Sequence, residues 1–233
     1  MQAPLFKENR SGFTFIEIMI SMSIMLTVSA MSLNFLVETG RLNFTSAEKN
    51  DINRELRNIV DRLATEAKQS NLFVIYESAE DSDRVNIADR VKTGGSGDAI
   101  LLVFKSAYAD MDALGVDPLR DPRPITRLIL YYRSTISTEN GVGRGPVRRW
   151  ERDYSNNPVT DTASIHNLET LLPTLATLDS ESIEVVALSE GLADGRLFYN
   201  YQSRTAMVNG KIIHGNNAKW VTDTYNFSIS PRG

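Results

Sequence analysis

Apolar and polar positions divide the chain into an apolar segment, an amphipathic segment and a remainder with strand-like alternation. The apolar segment runs from Phe13 to Val37 and contains one ionisable side chain, Glu17. As a helix rising about 1.5 Å per residue it reaches roughly 38 Å, more than the hydrocarbon core of a bilayer at about 30 Å. We therefore predict a transmembrane or otherwise lipid-compatible helix over residues 13–37.

The next segment, residues 38–70, is polar with one apolar stripe. No proline occurs between Arg41 and Ser70, and apolar residues recur there at spacings of three and four: Ile52, Leu56, Ile59, Val60, Leu63 and Ala67. This spacing places them on one face of a helix. We predict that the amphipathic helix continues the apolar one and packs this face on the chain's own globular head.

After Ser70 the pattern changes to β-branched and aromatic runs bounded by turn residues, which predicts strands and a β-rich head over residues 71–233. The predicted strands are Leu72–Tyr76, Ala99–Phe104, Arg127–Arg133, Val147–Glu151, Ile183–Leu188, Arg196–Tyr201 and Lys219–Ser230. A short helix is expected near residues 164–178, interrupted by Pro173. The predicted fold class is α+β, with a long helix packed on a mostly antiparallel sheet.

The residues before the apolar segment bear on its orientation. Lys7 and Arg10 outweigh Glu8, so this end is positive and is expected to stay in the cytoplasm while the head is exported. A secretory signal cut after Val28-Ser29-Ala30 and a plain anchor are two alternatives. Neither a secretory signal nor a plain anchor explains Glu17, because an acid inside an apolar span raises the free energy of membrane insertion by up to about 2.5–3.5 kcal/mol. A functional role for this acid is the third interpretation.

The residues around Glu17 resemble a known processing site. Ser11-Gly12 followed by Phe13-Thr14-Phe15-Ile16-Glu17 is similar to the site of type IV pilins and of the pseudopilins of type II secretion systems. The resemblance implies that a prepilin peptidase removes the leader, residues 1–12, by cutting between Gly12 and Phe13. It also implies N-methylation of Phe13 and a role for Glu17 in assembly, where the amine of a neighbouring subunit would meet the carboxylate in low dielectric.

One position departs from that family. Type IV pilins commonly have proline at the twenty-second mature residue, where this chain has Asn34. The kink or melting point associated with that proline is therefore not assured here, and Asn34 and Gly40 are the local weak points in the predicted helix.

The resemblance also implies a fold, a location and partners. It implies a pilin-like subunit with a single pass through the inner membrane, a periplasmic head, and a place in a filament or at its tip. Its partners would be the prepilin peptidase, other pilin or pseudopilin subunits and an inner-membrane assembly platform. The pattern of the head, with its RRWER run, is similar to J-type minor pseudopilins and W-type minor pilins. A minor pseudopilin of type II secretion is the leading interpretation, and a minor type IV pilin for adhesion, motility or DNA uptake is the alternative.

Composition narrows the chemistry of the head. A net charge of −4 argues against nucleic acid as a partner, and the absence of cysteine removes thiolate chemistry. His166 and His214 have no metal-ligand spacing, and no hydrolase elbow or phosphate loop occurs. We therefore predict no catalytic residue, metal or cofactor. A membrane-anchored envelope enzyme or binding module remains as the alternative from a different functional class.

Two charged segments of the head have other interpretations. The acidic run Glu77–Asp83 lacks the spacing of a calcium loop and predicts a solvated loop. Four arginines flank Trp150, a composition found in nucleic-acid contacts, and they are Arg144, Arg148, Arg149 and Arg152. Strand alternation puts Arg148 and Arg152 on one face and Arg149 on the other, which divides the cluster. We expect a solvent-facing hairpin or a contact between subunits.

Overall fold

The computed structural model describes residues 13–106, 123–134, 137–139, 142–191, 194–202, 204–216 and 219–232. The predicted leader, including Gly12, lies outside these residues. The chain divides into two compact units between Ala47 and Glu48. The first contains the apolar segment, and the second contains the sheet together with the amphipathic stretch.

Helix α1, Phe15–Gln69, is one continuous element and includes both predicted helical segments. It passes through Asn34 and Gly40 without interruption. The helix ends where Ser70, itself buried, donates its hydroxyl to the carbonyl of Ala67 at 2.8 Å. This contact satisfies one of the last carbonyls, which a helix end otherwise leaves without a partner.

The amphipathic stripe of α1 packs in the second unit as predicted. Four of its residues are almost fully buried: Ile52, Ile59, Leu63 and Ala67. Leu56 and Val60 are half-buried against the same apolar cluster. The prediction that this face is covered by the chain's own head is confirmed.

The head is built on one ten-stranded sheet in which the pairings are antiparallel. In chain order, the strands β1 to β10 are Leu72–Tyr76, Ser96–Gly97, Ala99–Lys105, Ile125–Arg133, Ser137–Glu139, Val142–Asp153, Ile183–Gly191, Phe198–Gln202, Thr205–Asn216 and Lys219–Ile229. Their spatial order is β1-β3-β4-β6-β7-β9-β8-β2, with β5 paired to β6 and β10 paired to β9.

Alternation along the strands gives the sheet two apolar faces. One face joins the stripe of α1 through residues such as Ile100, Ile129 and Val208. The other face, formed by β1, β3, β4 and β6, packs on short helices: α2 at Thr162–His166, a 3-10 turn at Leu168–Leu171, and α3 at Leu175–Glu181. The central strands are therefore covered on both sides, which explains their nearly continuous apolar sequences.

The α+β fold with a long amino-terminal helix and an antiparallel head is confirmed. All seven predicted strands are present, and the helix expected near residues 164–178 is divided on either side of Pro173. Two details of the sequence interpretation were wrong. The RRWER run is part of β6, which lies between β4 and β7 inside the sheet and is not a solvent-facing hairpin.

The second error is the omission of three strands, the short β2 and β5 and the long β9, which pairs with three other strands. Asn209 and Gly210 interrupt its sequence and are typical turn residues. Gly210 has a packing role instead, because a Cβ there would clash with the hydroxyl oxygen of Tyr225. Glycine within a strand commonly marks such a close approach.

Burial of the α1 stripe predicts a large cost for truncating Leu63, which is fully buried. We expect Leu63→Ala to lower the free energy of unfolding of the head by about 2–5 kcal/mol, because it removes apolar contact and leaves a cavity. Denaturant titration of the full chain in detergent, followed by tryptophan fluorescence, measures this change. Leu42→Ala is the matched control on the same helix, since Leu42 is 60% exposed. Equal effects of the two substitutions would contradict the packing.

Candidate processing and assembly site

The start of α1 is organised by a hydrogen-bonded pair of side chains. Thr14 precedes the first helical residue, and its backbone N–H donates to Oε2 of Glu17 at 2.8 Å. The Thr14 hydroxyl donates to the same oxygen at 3.0 Å, and the Glu17 N–H donates to the Thr14 hydroxyl at 3.3 Å. This reciprocal arrangement is a capping box, which satisfies the free amides of a helix start.

The capping box gives Glu17 a role that the sequence interpretation missed. The signal was in the sequence, because threonine followed three residues later by glutamate before an apolar run predicts a capped helix start. Within one subunit, Thr14 supplies donors to a carboxylate that otherwise lies among apolar side chains. Both bonds are made to Oε2, and Oε1 has no partner among the described residues.

The side chains that follow Glu17 in the first unit are apolar and exposed. Phe13 is 85% exposed, and the large apolar residues from Phe15 to Leu42 are exposed as well. Two hydroxyls are satisfied within the helix, with Ser23 donating to the carbonyl of Met19 at 2.9 Å and Thr27 to that of Ser23 at 2.8 Å. In the described part of the chain, α1 is the one helix long and apolar enough to cross a membrane.

The comparison with protein families decides what kind of segment this is. A model described as the prokaryotic N-terminal methylation motif matches residues 7–33. Residues 7–33 thus have the pattern of this motif. With the long apolar helix behind it, the motif is consistent with the type IV pilin and pseudopilin family. No curated protein and no solved structure matches the chain.

The methylation motif is associated with structural subunits of pilin type, with processing by a prepilin peptidase and with assembly among pilin subunits. The apolar helix near the amino terminus favours membrane anchoring. The motif covers the predicted cleavage position and Glu17, but Gly12 itself lies outside the described residues.

The arginine cluster of the head forms ion pairs and hydrogen bonds within the head. Arg149 faces α1, where its Nη2 lies 2.7 Å from Oε1 of Glu66. The Tyr131 hydroxyl donates to the other oxygen of Glu66 at 2.6 Å, and burial together with this carboxylate raises the pKa of Tyr131. Arg148 donates to the carbonyl of Asp179 in α3, on the opposite face. The predicted division of the cluster between two faces is therefore confirmed.

The remaining members of that cluster are placed differently. Trp150 is buried and donates its indole N–H to Glu181 at 2.9 Å, whereas Arg152 is exposed. Arg144 lies 2.7 Å from Glu190. The described contacts of Arg148, Arg149 and Trp150 hold α1 and α3 on the sheet. The run of arginines around Trp150 therefore has a structural role inside the head.

The histidines and the acidic run also have contacts within the head. The carbonyl of His166 accepts a hydrogen bond from Arg90, and His214 lies beside Glu48 and Glu55. In the acidic run Glu77–Asp83, Asp81 accepts from Arg84 and Asp83 from Ser78. Within the described ranges, no group of three or more histidines and carboxylates is arranged to hold a metal ion.

Two buried carboxylates, Asp98 and Glu169, form ion pairs that join distant parts of the head. Asp98 lies 2.6 Å from Arg133 and 2.9 Å from Arg196, linking the start of β3 to the end of β4 and to the residues before β8. Glu169 lies 2.7 Å from Arg90 and also accepts the hydroxyl of Tyr76 at 2.9 Å. Each pair compensates charge that would otherwise be buried alone.

The Glu169 pair determines how acid affects the head. Burial disfavours the ionised form of Glu169, but the hydrogen bonds and charge of Arg90 outweigh burial, and the pKa of Glu169 is lowered. A carboxyl group with a lowered pKa stabilises the fold above its unfolded value, near 4.3, and this stabilisation is lost as pH falls through the folded value.

We expect Glu169→Gln to destabilise the head at neutral pH by on the order of 3 kcal/mol, because Arg90 loses its counter-charge. The difference from wild type should narrow as pH falls below about 4.3, because the unfolded wild-type chain then binds a proton at Glu169 that the folded chain, with its lowered pKa, takes up only at lower pH. Unfolding midpoints of both proteins from neutral to acidic pH provide the measurement. Glu80→Gln, at an exposed glutamate that makes no side-chain cap bond, is the control. A difference in unfolding midpoint between wild type and Glu169→Gln that stays constant with pH would refute this role of the Glu169 carboxylate.

Proposed function

We propose that the chain is a structural subunit of pilin type, a minor pseudopilin of a type II secretion apparatus, anchored and assembled through α1. The methylation motif at residues 7–33 is the observation that carries this proposal. The exposed apolar part of α1 supports it, because such a surface requires lipid or neighbouring helices to cover it.

Processing is proposed between Gly12 and Phe13, with methylation of the new amine. The cut leaves Phe13 and Thr14 immediately before the capped helix, so the Thr14–Glu17 bonds can remain in the mature chain. It also creates a positive charge at the amine of Phe13, which directly precedes Thr14 and lies four positions before Glu17 in the sequence. The peptidase would release the leader, residues 1–12, and with it the basic residues Lys7 and Arg10.

Glu17 is proposed to have two partners in succession. In a single subunit, Thr14 supplies the two bonds to Oε2 described above. In the filament, the Phe13 amine of a neighbouring subunit would bring a charge that Thr14 lacks, and Oε1 has no partner in the described chain to compete with it. A charge pair in low dielectric is stronger than a neutral hydrogen bond. Glu17 would thereby favour the correct stagger between subunits.

The minor position in a secretion filament rests on the size of the β-rich head and on the J-type and W-type patterns in its sequence. A minor type IV pilin uses the same motif and is the alternative. In both cases the head would be periplasmic, and the partners would be the prepilin peptidase, other subunits and the inner-membrane assembly platform.

Processing is tested by the mass of the mature protein isolated from its native membrane. We expect a chain that begins with N-methylated Phe13. A chain that begins at Met31 would support the secretory-signal alternative instead. Replacing Gly12 with leucine should block cleavage while membrane insertion continues, because insertion depends on the apolar run and its flanking charge.

The assembly role of Glu17 is tested with two substitutions that separate charge from helix capping. Glu17→Gln removes the charge but retains an acceptor for Thr14, since glutamine also serves in a capping box. Thr14→Val retains the charge and removes the hydroxyl of the cap. We expect Glu17→Gln to abolish assembly with normal cleavage, and Thr14→Val to retain most assembly, because loss of a cap costs only about 1 kcal/mol.

Complementation of a deletion strain, scored for secretion, piliation and crosslinks to other subunits, gives the readout. Restored secretion without an effect on piliation identifies the pseudopilin, and the reverse identifies the pilin alternative. Full function of Glu17→Gln combined with failure of Thr14→Val would show that the glutamate acts only by capping the helix.

A further inference from the structure

His214 of β9 lies between two carboxylates of α1. Its Nδ1 is 3.4 Å from Oε2 of Glu48, and its Nε2 is 3.1 Å from Oε2 of Glu55. The three side chains are 16%, 22% and 16% exposed, respectively. Glu48 and Glu55 are two helical turns apart, so they lie on the same face of α1 and approach opposite sides of the imidazole ring.

The contacts of this ring depend on its charge. Nε2 is buried and makes no aligned hydrogen bond, although Glu55 is 3.1 Å away. A neutral ring has one N–H, so it can donate toward only one of the two glutamates, and its other nitrogen then turns a lone pair toward the second carboxylate. A protonated ring is attracted to both carboxylates, and these contacts are largely protected from solvent screening.

Among the described residues, Glu48 and Glu55 are the carboxylates within 4.0 Å of the ring nitrogens, and Asp223 lies on the same face of β10 two positions after Val221. On α1, Asp51 lies 3.1 Å from Arg54. On β7, the backbone N–H of Ala187 donates to Oε2 of Glu55 at 3.4 Å. On β10, the residue opposite His214 is Val221, which is buried. Among the described side chains, Glu48 and Glu55 thus set the electrostatic surroundings of His214.

The position of this contact gives it a structural consequence. β9 pairs with β7 only through Ile212, Lys211 and Gly210. From Ile213 onward, its described strand partner is β10 alone. Glu48 is the first residue of the second unit. The His214 contacts therefore join the end of the β9–β10 hairpin to the part of α1 where that unit begins.

We propose that His214 is a proton-operated clamp between the β9–β10 hairpin and α1. The protonated ring pairs with Glu48 and Glu55 and holds the hairpin on the helix. When the ring loses its proton, both ion pairs are lost, and the first helical turns of the unit and the end of the hairpin open more often.

Hydrogen exchange of the full chain in detergent micelles tests the clamp. Backbone protection of residues 48–56 and 213–222 is compared at about pH 5.5 and about pH 8, where histidine is the side chain whose ordinary titration falls in the interval. After correction for intrinsic exchange, we expect protection in wild type to be about fivefold higher at the lower pH.

The chain has two histidines, which provides a matched control. His214→Gln should remove the pH dependence, whereas His166→Gln should retain it. Glu48→Gln and Glu55→Gln should each reduce it, and they keep the test valid if His214→Gln does not fold. Equal protection of wild type at both pH values, or pH dependence retained in His214→Gln, would overturn the proposal.

Discussion

The burial of one face of α1 against the sheet is the interaction on which the head depends. Ile52, Ile59 and Leu63 bring the helix to the sheet, and Glu66 fixes its position by pairing with Arg149 and Tyr131. The apolar contact supplies most of the attraction because it scales with buried area. The polar contact is directional, so it selects one alignment of helix and sheet among several of similar apolar area.

The first part of the same helix has no such cover in its own unit. Its large apolar side chains are exposed as far as Phe44, and the stripe that the head covers begins at Ile52. One helix thus contains two kinds of surface: an apolar one for lipid or other subunits, and an amphipathic one for the head. This division is consistent with a subunit in which the amino-terminal part of α1 takes part in assembly and the head packs around the carboxyl-terminal part of α1.

Carboxylates in the described chain are stabilised by two kinds of partner, charged arginines and neutral hydrogen-bond donors. Asp98 and Glu169 are each held by arginine inside the head, and their pairs are complete within the chain. Glu17 differs because its donors come from the neutral Thr14. A carboxylate that its own chain leaves without a counter-charge can gain one from a partner, and this difference gives Glu17 its place in the proposed assembly mechanism. His214 presents the reverse case, a titratable base placed between two acids.

Local patterns were sufficient for the helix, for seven strands and for the methylation motif, because each depends on residues close in sequence. The spacing of apolar residues, the turn residues and the GFTFIE run with its basic leader can each be recognised within a short stretch of sequence. The same local information was sufficient for the Thr14–Glu17 cap, which the sequence interpretation overlooked.

Strand β9 was missed because Gly210 is typical of a turn, and its role becomes visible only when Tyr225, fifteen positions later, packs against it. The central position of Trp150, the Arg149–Glu66 pair and the His214 contacts depend on residues 31 to 166 positions apart. Only the tertiary structure decides these contacts, because strand order and helix packing set which distant side chains meet.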